Sequence, residues 1–446
     1  MKPEPSIASQ RREQGLALER RLDLLTGPAA SGIDPLLGAR TLWKRLPLPQ
    51  SLRRRATAWL YSWSASARAR VAAAEAVGDL ADLRPKPAAA IAPGPLVVSG
   101  YLSEPTGIGR AGRMSMQVLT AAGLAPRPHD LKVEPAGFAP PMRGGVWLAH
   151  CNAPEAAEFL LRSASAHAAY RVGYWAWELP ELPRAWGRIA ELFHEIWAPS
   201  AFTAEAIRKA TAGLGVAVRV VPHPHPDISG IEPDRGRFGI AQEVFAFLCM
   251  YDVRSSATRK NPAGAIRAFQ AAFAPGSAAV LLIVKVVSAA ESRGCLAELR
   301  ALATGWPNIR ILTDTLTDRE ANALIASADA FVSLHRAEGF GLSIALAMAL
   351  GRPVIATDWS GNLQFSGDGV LLVGAALTPV RDAAGIYFET DQVWADPDLQ
   401  AAARHMRRLA RSRDAARRLG EKARRTVRAR LADGYDVDHL RPWLAP

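Results

Sequence analysis

The sequence predicts an α/β protein of two doubly wound domains in series, and three observations carry that prediction. Strand-length apolar runs alternate with helix-length amphipathic stretches from residue 96 onward. The alternation pauses near residues 224–243 and then restarts. Glycine-bearing turns sit where strands meet helices. Apolar runs that are continuous rather than alternating belong to parallel sheets covered by helices on both faces. A chain of 446 residues, 49% hydrophobic and 22% charged, is long and apolar enough for two to three such domains.

Residues 1–95 read as a basic helical N-terminal extension and linker. Segments 11–25 and 52–81 have helical composition, punctuated by Pro47, Pro49, Pro85 and Pro87, and the Ala-Pro stretch 85–95 reads as the linker. Around Trp43, Arg53, Trp59 and Trp63 basic and aromatic residues interleave. Either this is a membrane-surface segment, or its Trp face packs on the main body.

The first domain spans 96–230, with strands at 96–99, 146–150, 171–175, 196–198 and 218–222. Helices fit at 110–122, 154–166, 183–193 and 201–212. The second spans 231–398, with strands at 244–250, 280–285, 309–312, 330–334, 353–356 and 370–373. Its helices fit at 262–273, 291–303, 318–326 and 342–350. Residues 399–446 form a basic C-terminal tail, helical over 399–431. In such folds ligands bind at the carboxyl ends of the strands, so a cleft between the domains is the expected site.

Charge and cysteine usage narrow the setting. Residues 1–95 carry 15 Lys and Arg against 8 Asp and Glu, and residues 399–446 carry 13 against 5; the centre is left at −3 of the overall +12. Basic ends meet anionic headgroups, nucleic acid or water alone. Cys151, Cys249 and Cys295 are few, odd in number and far apart, which disfavours a disulfide framework or zinc site and fits a reducing cytoplasm. No apolar run approaches the 18 residues of a spanning helix, and the polar residues 1–20 lack the apolar core of a secretory signal.

The stretch from Ser333 to Ser343, reading SLHRAEGFGLS, follows a strand and opens a helix. Gly339 and Gly341 let the backbone approach a ligand, and the amides from Gly339 through Phe340 to Leu342 face an anion from a helix N-terminus. Glu338 suits a neutral polyol, because one carboxylate accepts hydrogen bonds from two adjacent hydroxyls. A second constellation, from Asp252 to Pro262, puts Arg254 and Lys260 six apart at a strand's carboxyl end. Two cations there can neutralise a departing diphosphate, as a metal ion does elsewhere. Arg259 and Lys285 are further candidates for that cluster.

The first domain offers a glycine loop at Gly107 and Gly109, without the three-glycine dinucleotide fingerprint. His150 ends a strand, as a cleft group or a structural histidine. Trp175 and Trp177 are core or platforms for sugar rings, with Glu178 an acceptor for hydroxyls. Asp396 with Asp398, and Asp436 with Asp438, have metal-pair spacing but lie at or within the basic tail, so no metal is expected. Gly-Lys-Ser/Thr and Gly-x-Ser-x-Gly motifs are absent, against an NTPase or an α/β-hydrolase.

Taken together, residues 97–431 resemble the retaining glycosyltransferases of family 4 (group 1). The likeness is strongest in AEGFGLSIALAMALGRPVIAT, from Ala337 to Thr357. The resemblance implies the GT-B fold, two Rossmann-like domains facing a cleft. It places Arg254 and Lys260 on the donor diphosphate, Glu338 on the donor sugar, Gly107 and Gly109 in the amino-terminal glycine loop, and His150 loosely at a cleft histidine. Position 346 departs from the pattern: the family's second glutamate, which binds the donor ribose, is Leu346 here. Either the ribose is held otherwise or the donor site is weakened. GYWAWEL from Gly173 and WSGNL from Trp359 look like bacterial members that build surface polysaccharides.

The expected activity is therefore metal-independent, retaining transfer of a hexose from a nucleotide sugar to a glycan or lipid-linked acceptor. The acceptor would lie near Gly109, His150 and Trp177. The protein would be cytoplasmic, with an anionic membrane surface as a further partner, and would need no cofactor. Nucleic acid is not an expected partner, since no recognition motif accompanies the basic ends. Alternatives are another GT-B chemistry, such as sugar epimerisation or phosphorolysis, and a degenerate, donor-blind scaffold.

Overall fold

The computed structural model describes residues 80–104, 106–133, 142–162, 165–291, 293–382, 387, 392–431 and 435–445. Residues 1–79 of the extension expected over 1–95, with Trp43, Arg53, Trp59 and Trp63, lie outside them. In chain order the first domain contains β1 (Leu96–Gly100), α1 (Gly107–Ala121), β2 (Pro126–Asp130), β3 (Val146–His150) and α2 (Ala153–Arg162). It continues with β4 (Tyr170–Tyr174), α3 (Arg184–Ala190), β5 (Glu195–Ala198), α4 (Ala201–Ala210) and β6 (Ala217–Val220). All six strands are parallel, in the order β2-β1-β3-β4-β5-β6.

The second domain opens with β7 (Phe245–Asp252), α5 (Ala257–Lys260), α6 (Pro262–Ala272), β8 (Val280–Val287), α7 (Arg293–Ala303) and β9 (Ile309–Leu312). It closes with α8 (Asp318–Ser327), β10 (Ala330–Ser333), α9 (Leu342–Ala349), β11 (Val354–Thr357) and β12 (Val370–Val373). Its parallel sheet runs β12-β11-β10-β7-β8-β9. The order reverses between β1 and β3 in the first sheet and between β7 and β10 in the second. A crevice opens at such switch points because the flanking connections leave to opposite faces of the sheet. The motifs after β1, β3, β7 and β10 are the ones the sequence singles out.

Three strands escape the sequence pattern. Strand β2 reads PRPHD, polar and proline-bearing, and is tolerated because it pairs only with β1 at the sheet edge. An antiparallel hairpin, β13 (Ala375–Pro379) and β14 (Val393–Pro397), follows β12.

The stretch expected as one basic helix is two, α10 (Leu399–Arg411) and α11 (Arg413–Arg430), split at Ser412, whose hydroxyl caps the second. It is no loose tail. Met406 and Leu409 join the core around β7 and β8, and Ala423 and Val427 join the one around α9. The chain then returns to the first domain: Tyr435, Val437 and Leu440 are buried with β1, β3 and β4, and Trp443 stacks on Tyr170 at 3.7 Å. The end of the extension and the expected linker are likewise packed. Leu83 and Ile91 are buried, the Leu83 carbonyl accepts from Arg171 Nη1 at 2.6 Å, and Gly94 bridges to Leu444.

Candidate active site

The second-domain half of the site is assembled at the β7–β10 switch point. After β7 the chain turns through Ser256 (φ 64°) into α5, then through Asn261 (φ 51°) into α6. The Ser256 hydroxyl accepts from the Arg259 amide, and the Asn261 side chain caps α6 while donating to the Leu334 carbonyl at 2.8 Å. These bonds fix Arg259 and Lys260 on one short turn. Of the four described non-glycine residues with positive φ, three, Ser256, Asn261 and Ser360, lie around this cluster. Strained backbone of that kind persists where surrounding contacts over-determine it, as functional sites do.

Glu338 is held by its backbone before its side chain is considered. Its amide donates to the Ser360 hydroxyl at 2.8 Å, and its carbonyl accepts from the Gly361 amide at 2.7 Å. A Cβ on Gly361 would fall 2.0 Å from the Gly339 carbonyl oxygen, so only glycine lets these loops touch. The buried carboxylate accepts from Lys260 Nζ at Oε1 and from Arg259 Nη1 at Oε2, 3.3 Å away. Burial alone would raise its pKa; Lys260, then Arg259 and His335, outweigh that and hold it at about 2.

The first domain closes on this cluster. Glu178 lies 3.5 Å from Arg259 Nη2 and accepts from the Tyr387 hydroxyl at 2.9 Å. The Ser200 hydroxyl donates to the Gly339 carbonyl at 2.7 Å, and Thr203 donates to the Trp177 carbonyl at 2.7 Å. Helix α9 starts at Gly341 (φ 97°) with no side chain capping it, so its first-turn amides at Leu342 and Ser343 remain available to an anion.

Arg254 is held apart from Glu338. It forks onto Asp252, with Nη2 2.7 Å from Oδ2, and faces Glu104 of the first domain at 3.9 Å. Lys285 is not in the cluster either: its buried ammonium donates to the Val286 and Asp314 carbonyls at 2.9 and 2.7 Å. Phe340 packs on His223 and Phe365, with ring centroids 4.8 and 4.7 Å away. Trp177 is packed by Trp186 and Tyr387, and its indole donates to the Glu181 carbonyl, so it is a wall rather than an open platform. Leu346 is fully buried in the apolar cluster of α9 with Ala345, Phe365 and Val427. It presents no surface on which a ribose could rest.

In the first domain, Gly109 is held under the Thr106 cap of α1. A Cβ there would fall 2.4 Å from the Glu104 carbonyl oxygen, whereas Gly107 faces open space. His150 stacks on Tyr174 at 4.3 Å, its Nε2 has no partner among the described residues, and burial pushes its pKa down to about 4. Sequence reading gave Arg259 only a secondary place and missed Ser200, Thr203, His223 and Ser360. The Arg259-Lys260 doublet was the one available signal; the others are single hydroxyls and rings whose role depends on partners distant in sequence. Among the described residues no group of three or more His, Cys, Asp or Glu could hold a metal ion.

Two α/β domains with switch points facing one another across a cationic, glycine-lined junction define the GT-B fold. Residues 253–396 match the family model described as glycosyl transferases group 1. The chain is similar to the solved structure of a sucrose-phosphate synthase from Thermosynechococcus elongatus, with 16% identity and a TM-score of 0.56 over 78% of this chain and 96% of that one. It is also similar to Anabaena HepE solved with UDP-glucose, with 15% identity and a TM-score of 0.54 over 75% and 95%. No curated protein matches it. The matched family and the shared fold support a transferase of glycosyl groups.

Proposed function

We propose that this protein transfers a hexose from a nucleotide sugar to a hydroxyl of a glycan or lipid-linked acceptor, with retention and without a metal ion, in bacterial surface polysaccharide synthesis. The observation that carries the reading is the meeting of Arg259 and Lys260 with Glu338 beside the uncapped start of α9. In the transfer, the bond from the anomeric carbon to the diphosphate oxygen breaks and one to the acceptor oxygen forms. The acceptor's proton leaves with the diphosphate. Negative charge grows on that diphosphate, where fixed cations and amides stabilise it most. Lys260 and the α9 amides serve this role, Arg254 approaches from Asp252, and Glu338 takes up sugar hydroxyls once the diphosphate competes for its cations. The Anabaena neighbour was solved with UDP-glucose, which makes UDP-glucose the first donor to try.

Membrane attachment is part of the same proposal. Arg408, Arg411, Arg418, Lys422, Arg425 and Arg428 are exposed on α10 and α11. Lys and Arg near an anionic surface contribute about 1 kcal/mol each. Recovery on anionic vesicles at low salt, absent with neutral ones, is the expected flotation result.

A second reading is favoured by the buried Leu346: a GT-B scaffold that binds no donor. Calorimetry with UDP and UDP-glucose in EDTA separates the two. Binding that is lost in Lys260→Ala supports transfer; no binding of any nucleoside diphosphate supports the scaffold.

A further inference from the structure

The cleft lies at the carboxyl ends of the second sheet. At the opposite ends of the same strands is a cavity of about 180 Å³ that the proposed transfer does not use. It is bounded by Phe245 at the start of β7, Asp329 just before β10, Pro353 just before β11 and the first turn of α11. Four arginines line it, Arg235, Arg352, Arg413 and Arg417, with Asp329 the one acid among the lining residues.

That acid is saturated. Its Oδ2 accepts from Arg235 Nη1 at 3.0 Å and from the Ala246 amide at 2.8 Å, and its Oδ1 accepts from Arg413 Nη1 at 3.1 Å. Two of the guanidinium groups are incompletely paired: Arg235 gives Nη1 and Nη2 to Asp329 and to the Ser327, Ala241 and Val244 carbonyls, and Arg413 gives Nη1 to Asp329. Arg235 Nε and Arg413 Nη2 are both buried without a partner among the described residues. Leaving a buried charged donor unpaired is costly, so two beside one cavity ask for an acceptor. Arg413 cannot turn away freely, because its guanidinium also lies over the Phe245 ring at 5.8 Å. Outside the lining, Glu421 acts on Arg352, and Asp414 lies 3.9 Å from Arg417. Both Asp414 and Arg417 are more than three-quarters exposed, where water screens the pair. The amino end of the 18-residue α11 adds a fixed partial positive charge on the same side.

We propose that this cavity is an oxyanion site that takes a phosphoryl group, either free phosphate or the phosphate of a small phosphorylated metabolite. Planar guanidinium forks match tetrahedral phosphate oxygens, and the volume admits one such group with part of its carrier. The site stands apart from the donor cleft, and the inference holds whether or not the protein transfers sugars.

The test is a thermal-shift and calorimetric titration with inorganic phosphate, and separately with glucose 6-phosphate, on Lys260→Ala protein. That background weakens anion binding in the cleft while leaving the cavity intact. A saturable rise in melting temperature is expected, lost by at least tenfold in apparent affinity when Arg417→Ala and Arg352→Ala are added. Tighter binding of the sugar phosphate than of phosphate would identify a phosphorylated metabolite as the ligand; equal binding would identify free phosphate. Because Arg352 also donates to the Leu350 and Ala328 carbonyls, Arg417→Ala alone serves as the variant that keeps the fold. It should weaken binding at least threefold. No shift in the Lys260→Ala protein, or equal shifts with and without the arginines, would overturn the proposal.

Discussion

The Lys260 ammonium and the Glu338 carboxylate, 78 residues apart in sequence, meet as a largely buried ion pair at the domain junction. The cation proposed for the donor diphosphate is therefore already occupied by the acid proposed for the donor sugar. Under the proposed function, binding of donor would be an exchange of partners, in which the diphosphate takes Lys260 and releases Glu338.

Lys260→Ala should lower turnover on the order of a hundredfold, since charge-stabilising donors contribute about 3 kcal/mol in the transition state. It should also lower stability, because the buried Glu338 loses its strongest cationic partner. A double-mutant cycle with Glu338→Gln should return a coupling of roughly 0.5–3 kcal/mol in chemical denaturation. Additive effects would mean the pair contributes nothing to the fold. Transfer unchanged by EDTA is the companion expectation, and a strict requirement for Mg²⁺ or Mn²⁺ would refute the metal-free mechanism.

Leu346→Glu places a carboxylate among Ala345, Phe365 and Val427, none of which can pair with it. The expected outcome is a loss of several kcal/mol and no gain in donor affinity. A variant that binds UDP-glucose more tightly than the parent would show that position 346 reaches the cleft after all.

The two glycines of the α1 loop should behave oppositely. Gly107→Ala lies in a helix with open space around it, and should stabilise by about 0.5–1 kcal/mol. Gly109→Ala would drive its Cβ against the Glu104 and Tyr101 carbonyl oxygens at 2.4 and 2.5 Å. A loss of more than about 2 kcal/mol is expected, from a shift of the turn that neither backbone can absorb cheaply. Urea melts of both variants decide it; equal effects would refute the steric account.

His150 and His223 set an acid limit on stability. Burial lowers their pKa values from 6.5 to about 4 and about 3, with His150 adding to the effect on His223. The unfolded chain takes up their protons before the folded one does. Their contribution is thus full above about pH 6.5 and is lost as the pH falls from there towards about 4 for His150 and about 3 for His223, by up to about 1.4 kcal/mol per pH unit for each ring. Melting temperatures between pH 7.5 and 4.5 should fall more steeply for the parent than for His150→Phe. Parallel curves would remove His150 from this account.

Much of the architecture was legible because a parallel sheet writes itself as apolar runs. The strands at 280–285 and 330–334 have no other plausible partner than a covered sheet. Strand β2 was invisible for the converse reason: an edge strand buries little, and PRPHD carries neither periodicity nor propensity. At the site, Glu338 and Lys260 were legible from glycine spacing and charge placed at strand ends. The fate of Lys285 was not. It stands in the middle of an apolar run, and only the three-dimensional course of the chain brings the Asp314 carbonyl to its ammonium. Trp177 stayed open between core and platform for a related reason, since an indole beside a glutamate looks the same in sequence whether it faces a sugar or a neighbouring ring.

The return of residues 435–445 to the first sheet bears on how the molecule is made. Tyr435, Val437 and Leu440 belong to the same core as Leu96 and Val98. On the ribosome, the domain synthesised first must wait for residues made more than two hundred positions after β6, about 10–40 s at ordinary elongation rates. Until then the face of its sheet that these residues share with Leu119 of α1 and with Ile91 is only partly covered, and the second domain can finish before it. A chain truncated after residue 431 and released from the ribosome should accordingly show a protected second domain beside a protease-sensitive first one. The order of synthesis and the order of completion run in opposite directions.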